Sequence, residues 1–261
     1  MEITIKTFLI ACPLVFLAGF VDAIGGGGGL ISLPAYILAG LPPHMAVATN
    51  KLSSACGTAL ATGRFIKHKM VDIKLAIPSV ICAMVGSFIG AKLSLLTDER
   101  ILEIALLPVL CIAAFFVLNK KLFGSDIPDE QLLLNRRTYV VVSLSALFIG
   151  CYDGFYGPGT GTFLIIAFAV FAKIAVKRAN TQSKIINLTT NITSLVVFIL
   201  GGQIVWALGI AAAICNMGGS FIGSSLALTK GDKVIRPVIL FVLALLAIKV
   251  VFFAQTNVFL L

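Results

Sequence analysis

The groups in this chain that could do chemistry come in matched sets: two aspartates, two lysines and two glycine-rich stretches. Asp22 lies four and six residues before Gly26 and Gly28, and Asp153 lies four and six before Gly157 and Gly159. Lys51 and Lys184 are 133 residues apart, and the same offset relates Ser54 to Asn187 and Thr58 to Asn191. Asn50 and Ser183 flank the lysines. An ionisable group inside apolar sequence is costly enough to mark a candidate functional site. Carboxylates with ammonium groups suit anion binding, proton uptake and release, or a buried ion pair that only holds the fold. Spacing of i, i+3 and i+7 places Lys184, Asn187 and Asn191 on one helix face, a polar stripe that points inward.

The stretch Gly25 to Gly29 is five consecutive glycines, which cost a helix about 1 kcal/mol each relative to alanine. The chain is expected to open there. Its counterpart YGPGTG, residues 156–161, carries Pro158 and three glycines. Non-helical backbone at membrane depth is tolerated where protein buries it or it lines a cavity, and a helix restarting after it offers N–H groups to an anion. The expected substrate-binding positions are therefore Gly25, Gly26, Gly27, Gly28, Asn50, Lys51, Gly157, Gly159, Lys184, Asn187 and Asn191, with Asp22 and Asp153 as coupling groups. The competing readings are glycines that allow close helix contact, as expected for Gly86/Gly90 and Gly219/Gly223 in their GxxxG pattern, and Asp–Lys pairs that serve the scaffold. No Gly-Lys-Ser/Thr sequence closes the glycine run, so it is not a phosphate-binding P-loop.

The elements that must carry these groups follow from composition. Of 261 residues, 59% are hydrophobic and 12% charged, with a mean hydropathy of +1.07, beyond the needs of a soluble core. Segments long enough to span a bilayer, about 20 residues each, fall near 7–23, 46–66, 74–95, 100–118, 138–155, 159–176, 184–200, 204–228 and 234–253, with a shorter apolar piece from Leu30 to Leu41. The expected fold is an all-α integral membrane protein with about 8–10 membrane helical segments. Residues 82–93, CAMVGSFIGAKL, and 215–226, CNMGGSFIGSSL, share eight of twelve positions, so the chain reads as a tandem duplication. The halves are residues 1–118 and 138–261, joined by a polar linker at 119–137. The N-terminal apolar run lacks a small-residue cleavage site and belongs to the repeat, so it reads as mature protein.

A net charge of +9 does not point to nucleic acid, because the basic residues sit in short loops, as the positive-inside rule describes. Arg64, Lys67, Lys69 and Lys74 crowd the loop near 70, whereas its counterpart at 201–206 is uncharged. Lys173, Lys177 and Arg178 have as counterpart only His44. Equivalent loops therefore face opposite sides, giving an inverted-topology repeat with the linker and basic loops in the cytoplasm. An odd number of crossings per half follows, either five or three plus a hairpin. Six cysteines lie in apolar stretches without metal-ligand or redox spacing. No HExxH, GxSxG or paired-carboxylate pattern supports an enzyme, and no cofactor or metal is implied.

GFVDAIGGGGGLISLP at 19–34, ATNKL at 48–52, GCYDGFYGPGTGTF at 150–163 and LTKGDKVIRP at 228–237 closely resemble the TauE/SafE family of membrane transporters. The likeness covers nearly the whole chain. It implies a multi-pass permease of the prokaryotic plasma (inner) membrane, associated with export of sulfite, sulfonates and related small anions. The family's motif residues carry over onto Asp22, Gly26, Asn50, Lys51, Asp153, Gly157 and Lys184, while Tyr156, Pro158 and Thr160 stand where the first half has glycines. The function expected is alternating-access transport of a small anionic, sulfur-containing substrate across the lipid bilayer, with protons on Asp22 or Asp153 for coupling. The alternatives at this point are a passive anion channel and a non-transporting scaffold.

Overall fold

A computed structural model of the chain describes residues 4–98, 135–242 and 244–245. The expected span at 100–118, the linker up to residue 134 and the later part of the expected span at 234–253 lie outside the described residues. Every regular element among them is an α-helix: α1 Ile5–Gly25, α2 Gly29–Leu38, α3 Pro43–Lys67, α4 Ile73–Leu96, α5 Arg136–Phe155, α6 Thr160–Val170, α7 Val176–Leu200, α8 Trp206–Lys230 and α9 over 232–242. Helices α1, α4, α5, α7 and α8 are long and apolar enough to cross a membrane. The outside of the bundle is its greasy side: Ile77, Ile81, Phe88, Phe148, Ile210, Ile214 and Phe221 are exposed. The inner faces of α4 and α8 carry small residues such as Ala83, Gly86, Ser87, Gly219, Ser220 and Gly223. Lipid removes no incentive to expose leucine or phenylalanine, so close packing of small residues is what joins the helices.

The two GxxxG seams work this way. Side chains at Gly86 and Gly90 on α4 would overlap Leu147 and Cys151 backbone on α5, and at Gly219 and Gly223 on α8 would overlap Phe16 and Phe20 backbone on α1. The first helix of each half therefore packs on the fourth helix of the other half. The reading of these glycines as packing positions agrees with this geometry.

Two corrections concern helix limits. The sequence reading ended one span at 176 and began the next at 184, whereas the chain turns at 171–175 and α7 runs unbroken from Val176. Lys177, Arg178 and Asn180 read as loop by polarity, yet they occupy helical turns, and Asn180 and Thr181 are buried against neighbouring elements. Lys51 likewise lies inside α3 rather than near its start.

The breaks turn the chain back. Gly28 packs on Ala18 and Asp22, so α2 folds against the end of α1. The α7–α8 junction meets the start of α3 through the Val205 N–H donating to Thr49 Oγ1 at 3.2 Å, and Gly201 lies against Leu95 near the end of α4. His44, in the first turn of α3, holds the Ser94 and Thr97 carbonyls at that same end. At the other end the Thr181 hydroxyl donates to the Met70 carbonyl at 2.7 Å, and Gln182 pairs with the Asp72 backbone. Thus the α3–α4 connection and the α7–α8 connection lie at opposite ends of the bundle.

Candidate functional site

Helix α1 stops because Gly26 and Gly27 take φ of +75° and +83°, values that side-chain-bearing residues rarely adopt. Helix α5 stops where Gly157 reaches φ +98° and Gly159 +84°. The two breaks touch. A Cβ on Gly26 would collide with Gly161 and Thr162 backbone, one on Gly29 would lie 3.2 Å from Pro158 Cα, and the Thr162 hydroxyl donates to the Gly25 carbonyl at 2.9 Å.

The ion pairs cross between halves. Lys51 Nζ on α3 lies 2.8 Å from Asp153 Oδ2 on α5, with the side chains 2% and 3% exposed. Lys184 Nζ on α7 lies 3.0 Å from Asp22 Oδ2 on α1, with exposures of 0% and 17%, and also contacts the Asp22 carbonyl. Desolvating an ammonium and a carboxylate costs several kcal/mol per ion, so each is tolerable only with its partner in place. Each lysine is eight residues into its helix, about 12 Å at 1.5 Å per residue, and the two helices start at opposite ends of the bundle. The two lysines therefore approach the breaks from opposite ends of the bundle.

Between them is a small cavity of about 20 Å³, roughly the room one water needs. Of the expected positions, Asp22, Gly27, Asn50, Lys51, Asp153, Gly157, Gly159, Asn187 and Asn191 line it. Lys184 reaches it through its pairing with Asp22. Gly25 instead packs on Val238 and Ile239, Gly26 on the second break, and Gly28 on α1. The cavity walls also include Gly29, Ser54, Thr160 and Gly161, which the sequence reading did not place among the binding positions. The 133-residue offset from Asn187 nominates Ser54. The three others lie in the same glycine-rich stretches, one or two residues beyond the positions chosen by distance from the aspartates.

The expectation that the restarting helix presents free N–H groups needs revision at α2. At α2 the Leu30 N–H donates to Gly27 O, and the Ile31 and Ser32 N–H groups to Gly28 O. The Gly28 N–H donates to Asp22 Oδ1 at 3.3 Å. The anion seated at this helix start is the chain's own carboxylate, which suits the positive end of the helix dipole.

Residues 11–250 match the family described as "Sulfite exporter TauE/SafE". The chain belongs to the TauE/SafE family. It is 37% identical over 241 residues to "Probable membrane transporter protein YfcA" of Escherichia coli (strain K12), covering 92% of this chain and 87% of that one. It is 34% identical over 255 residues to a "Probable membrane transporter protein" of Haemophilus influenzae, covering 97% of each. A further relative, "Probable membrane transporter protein ORF9" of Sinorhizobium sp, is 34% identical over 235 residues. No solved structure matches. As a TauE/SafE protein with several apolar spanning helices, the chain is a multi-pass inner-membrane transporter, and its relatives are named as transporters rather than enzymes.

Proposed function

We propose that this transporter moves a small oxyanion of the sulfite or sulfonate class by alternating access, with Lys51 and Lys184 attracting the substrate and Asp22 and Asp153 coupling its movement to protons. The observation that carries the reading is the crossed pairing: each half supplies a lysine to the other half's carboxylate, beside one small polar cavity. In this reading the cavity is one state of a site that opens alternately to either side, and the two ion pairs are the contacts that break and re-form as it does so. An incoming anion replaces a carboxylate as the lysine's partner, and protonation of that carboxylate keeps it from remaining as an unpaired buried charge. We read the two halves as an inverted repeat, a reading supported by equivalent loops at opposite ends of the bundle.

The test is flux of sulfite and methanesulfonate into proteoliposomes. Saturable flux driven by a pH gradient is expected, with its pH dependence flattened in Asp22→Asn or Asp153→Asn. Non-saturating, gradient-insensitive flux would instead identify a passive channel, and no flux of either anion would remove the reading. For the topology, an impermeant thiol reagent applied to intact cells should label cysteines at positions 42 and 203 but not at 68 and 176. Labelling of 68 and 203 from one side would sink the inversion.

A further inference from the structure

The cavity contains two side-chain amides whose oxygens are already occupied. Asn187 is 5% exposed and accepts from Asn191 Nδ2 at 3.1 Å through its Oδ1. Its NH2 group donates to no other group among the described residues and lies 3.6 Å from where a Cβ on Gly161 would stand. Lys184 Nζ lies at the same 3.6 Å from that point. An amide donor and an ammonium thus converge over Gly161, one of five glycines in this wall. Across the cavity, Asn50 is 6% exposed, and its Oδ1 accepts from Ser32 Oγ at 2.6 Å and Ser54 Oγ at 3.3 Å. Its NH2 is likewise left without a partner among the described residues. Asn50 and Asn187 are not equivalent under the 133-residue offset, so duplication alone does not account for two amides held in the same sense.

The backbone around the cavity has little acceptor capacity left. Gly25 O is taken by Thr162, Gly27 O by Leu30, Gly157 O by Thr160 and Gly159 O by Phe163. The carboxylates of Asp22 and Asp153 are acceptors too, but each faces a lysine. A substrate group that donates hydrogen bonds would compete with an ammonium for a carboxylate or turn to the Asn191 amide oxygen and the Ser54 and Thr160 hydroxyls. A group with acceptors only finds the amide and ammonium donors at the cavity wall.

We propose that Asn187 and Asn50 are specificity-determining donors that select a substrate whose bound end is an acceptor-only oxyanion, and that Asn191 and Ser32 are positioning residues that hold the amide oxygens away from it. This rests on the anion-transport reading and assigns the recognition within it.

The test measures binding of sulfite, methanesulfonate and chloride to the detergent-purified full-length protein by calorimetry, with melting temperature recorded for each variant. Asn187→Asp keeps the shape but exchanges donors for acceptors, and should weaken sulfite and methanesulfonate binding about tenfold or more, as expected for a charge-assisted hydrogen bond. Asn191→Leu leaves Asn187 in place but frees its amide to turn. It should weaken both oxyanions several-fold and shrink their preference over chloride, while Asn191→Gln, which keeps a donor, restores the preference. Ser32→Ala should act in the same direction through Asn50. Unchanged oxyanion affinity in Asn187→Asp, or an Asn191→Leu protein that melts lower but keeps its oxyanion-to-chloride ratio, overturns the assignment and leaves the transport reading standing. Wild-type protein that binds none of the three anions removes both.

Discussion

The two breaks do the same job with different materials. The second, between α5 and α6, is tied by its own side chains: the Tyr152 hydroxyl donates to the Pro158 carbonyl at 2.7 Å, the Thr160 hydroxyl to the Gly157 carbonyl at 2.8 Å, and Tyr152 stacks edge-on against Phe163. At the matching first-half positions, 131 residues earlier, stand Val21, Gly29 and Ser32. The first break is tied by small groups, the Gly28 N–H donating to Asp22 Oδ1 and the Ser32 hydroxyl to the Gly28 carbonyl at 3.1 Å, and its shape otherwise depends on lying flush against the second. A glycine run here is less a flexible hinge than a surface cut to fit its partner.

That contrast predicts which substitutions unfold the protein and which only stop it working. The largest effect is expected at Gly26, where a side chain meets both a left-handed backbone and the immovable main chain of Gly161 and Thr162. Gly26→Val should cost about 4 kcal/mol or more and abolish the folded peak in detergent size-exclusion chromatography. Gly157→Ala also has a positive φ, but the new methyl meets the ends of the Asp153 and Lys51 side chains. It should cost about 1–3 kcal/mol for strain while lowering flux well beyond what the melting temperature explains. If Gly26→Val were folded and merely inactive, the claim that the first break is a packing surface would fail.

The ion pairs extend the comparison. Removing one member of a buried pair costs about 3–5 kcal/mol. Lys51→Met strands Asp153 at 3% exposure and should fall at the upper end. Lys184→Met leaves Asp22 at 17% exposure with the Gly28 N–H still donating, and should fall at the lower end. Thermal melts read this order. Adding Asp153→Asn or Asp22→Asn should return stability without returning transport. Recovery of transport in either double variant would assign that pair to the scaffold. The smallest effect is expected from Tyr152→Phe, about 1 kcal/mol for one hydrogen bond, read as a small drop in melting temperature. A drop as large as that of Lys51→Met would mean that the second break also depends on a single tie.

The sequence made the fold class, the break positions and most of the cavity residues legible, because a charge or a glycine run is costly in lipid and so stands out. It misplaced the start of α7, since Lys177, Arg178 and Asn180 look like a loop when polarity alone is read; the turn is held by Asn180 on the Ala23 carbonyl of α1 and by Thr181 and Gln182 on the 68–72 loop, contacts that no local pattern encodes. The crossing of the pairs was also hidden. Asp22 lies 29 residues before Lys51 in the chain, yet its carboxylate meets Lys184, and only the packing of α1 on α8 and α4 on α5 determines that exchange.

The same exchange sets a timetable for synthesis. The seam that sheathes Phe16 and Gly19 is supplied by Asn216 and Gly219, about 200 residues later in translation, an interval of roughly 10–40 s at common elongation rates of about 5–20 residues per second. Throughout that interval the first helix waits in the membrane with a bare groove, and for most of it Asp22 has no lysine, since Lys184 is made 35 residues before Gly219. The newborn chain therefore needs shelter from the insertion machinery or from lipid until its last segments arrive, and a truncation near the end of the gene damages the beginning of the protein.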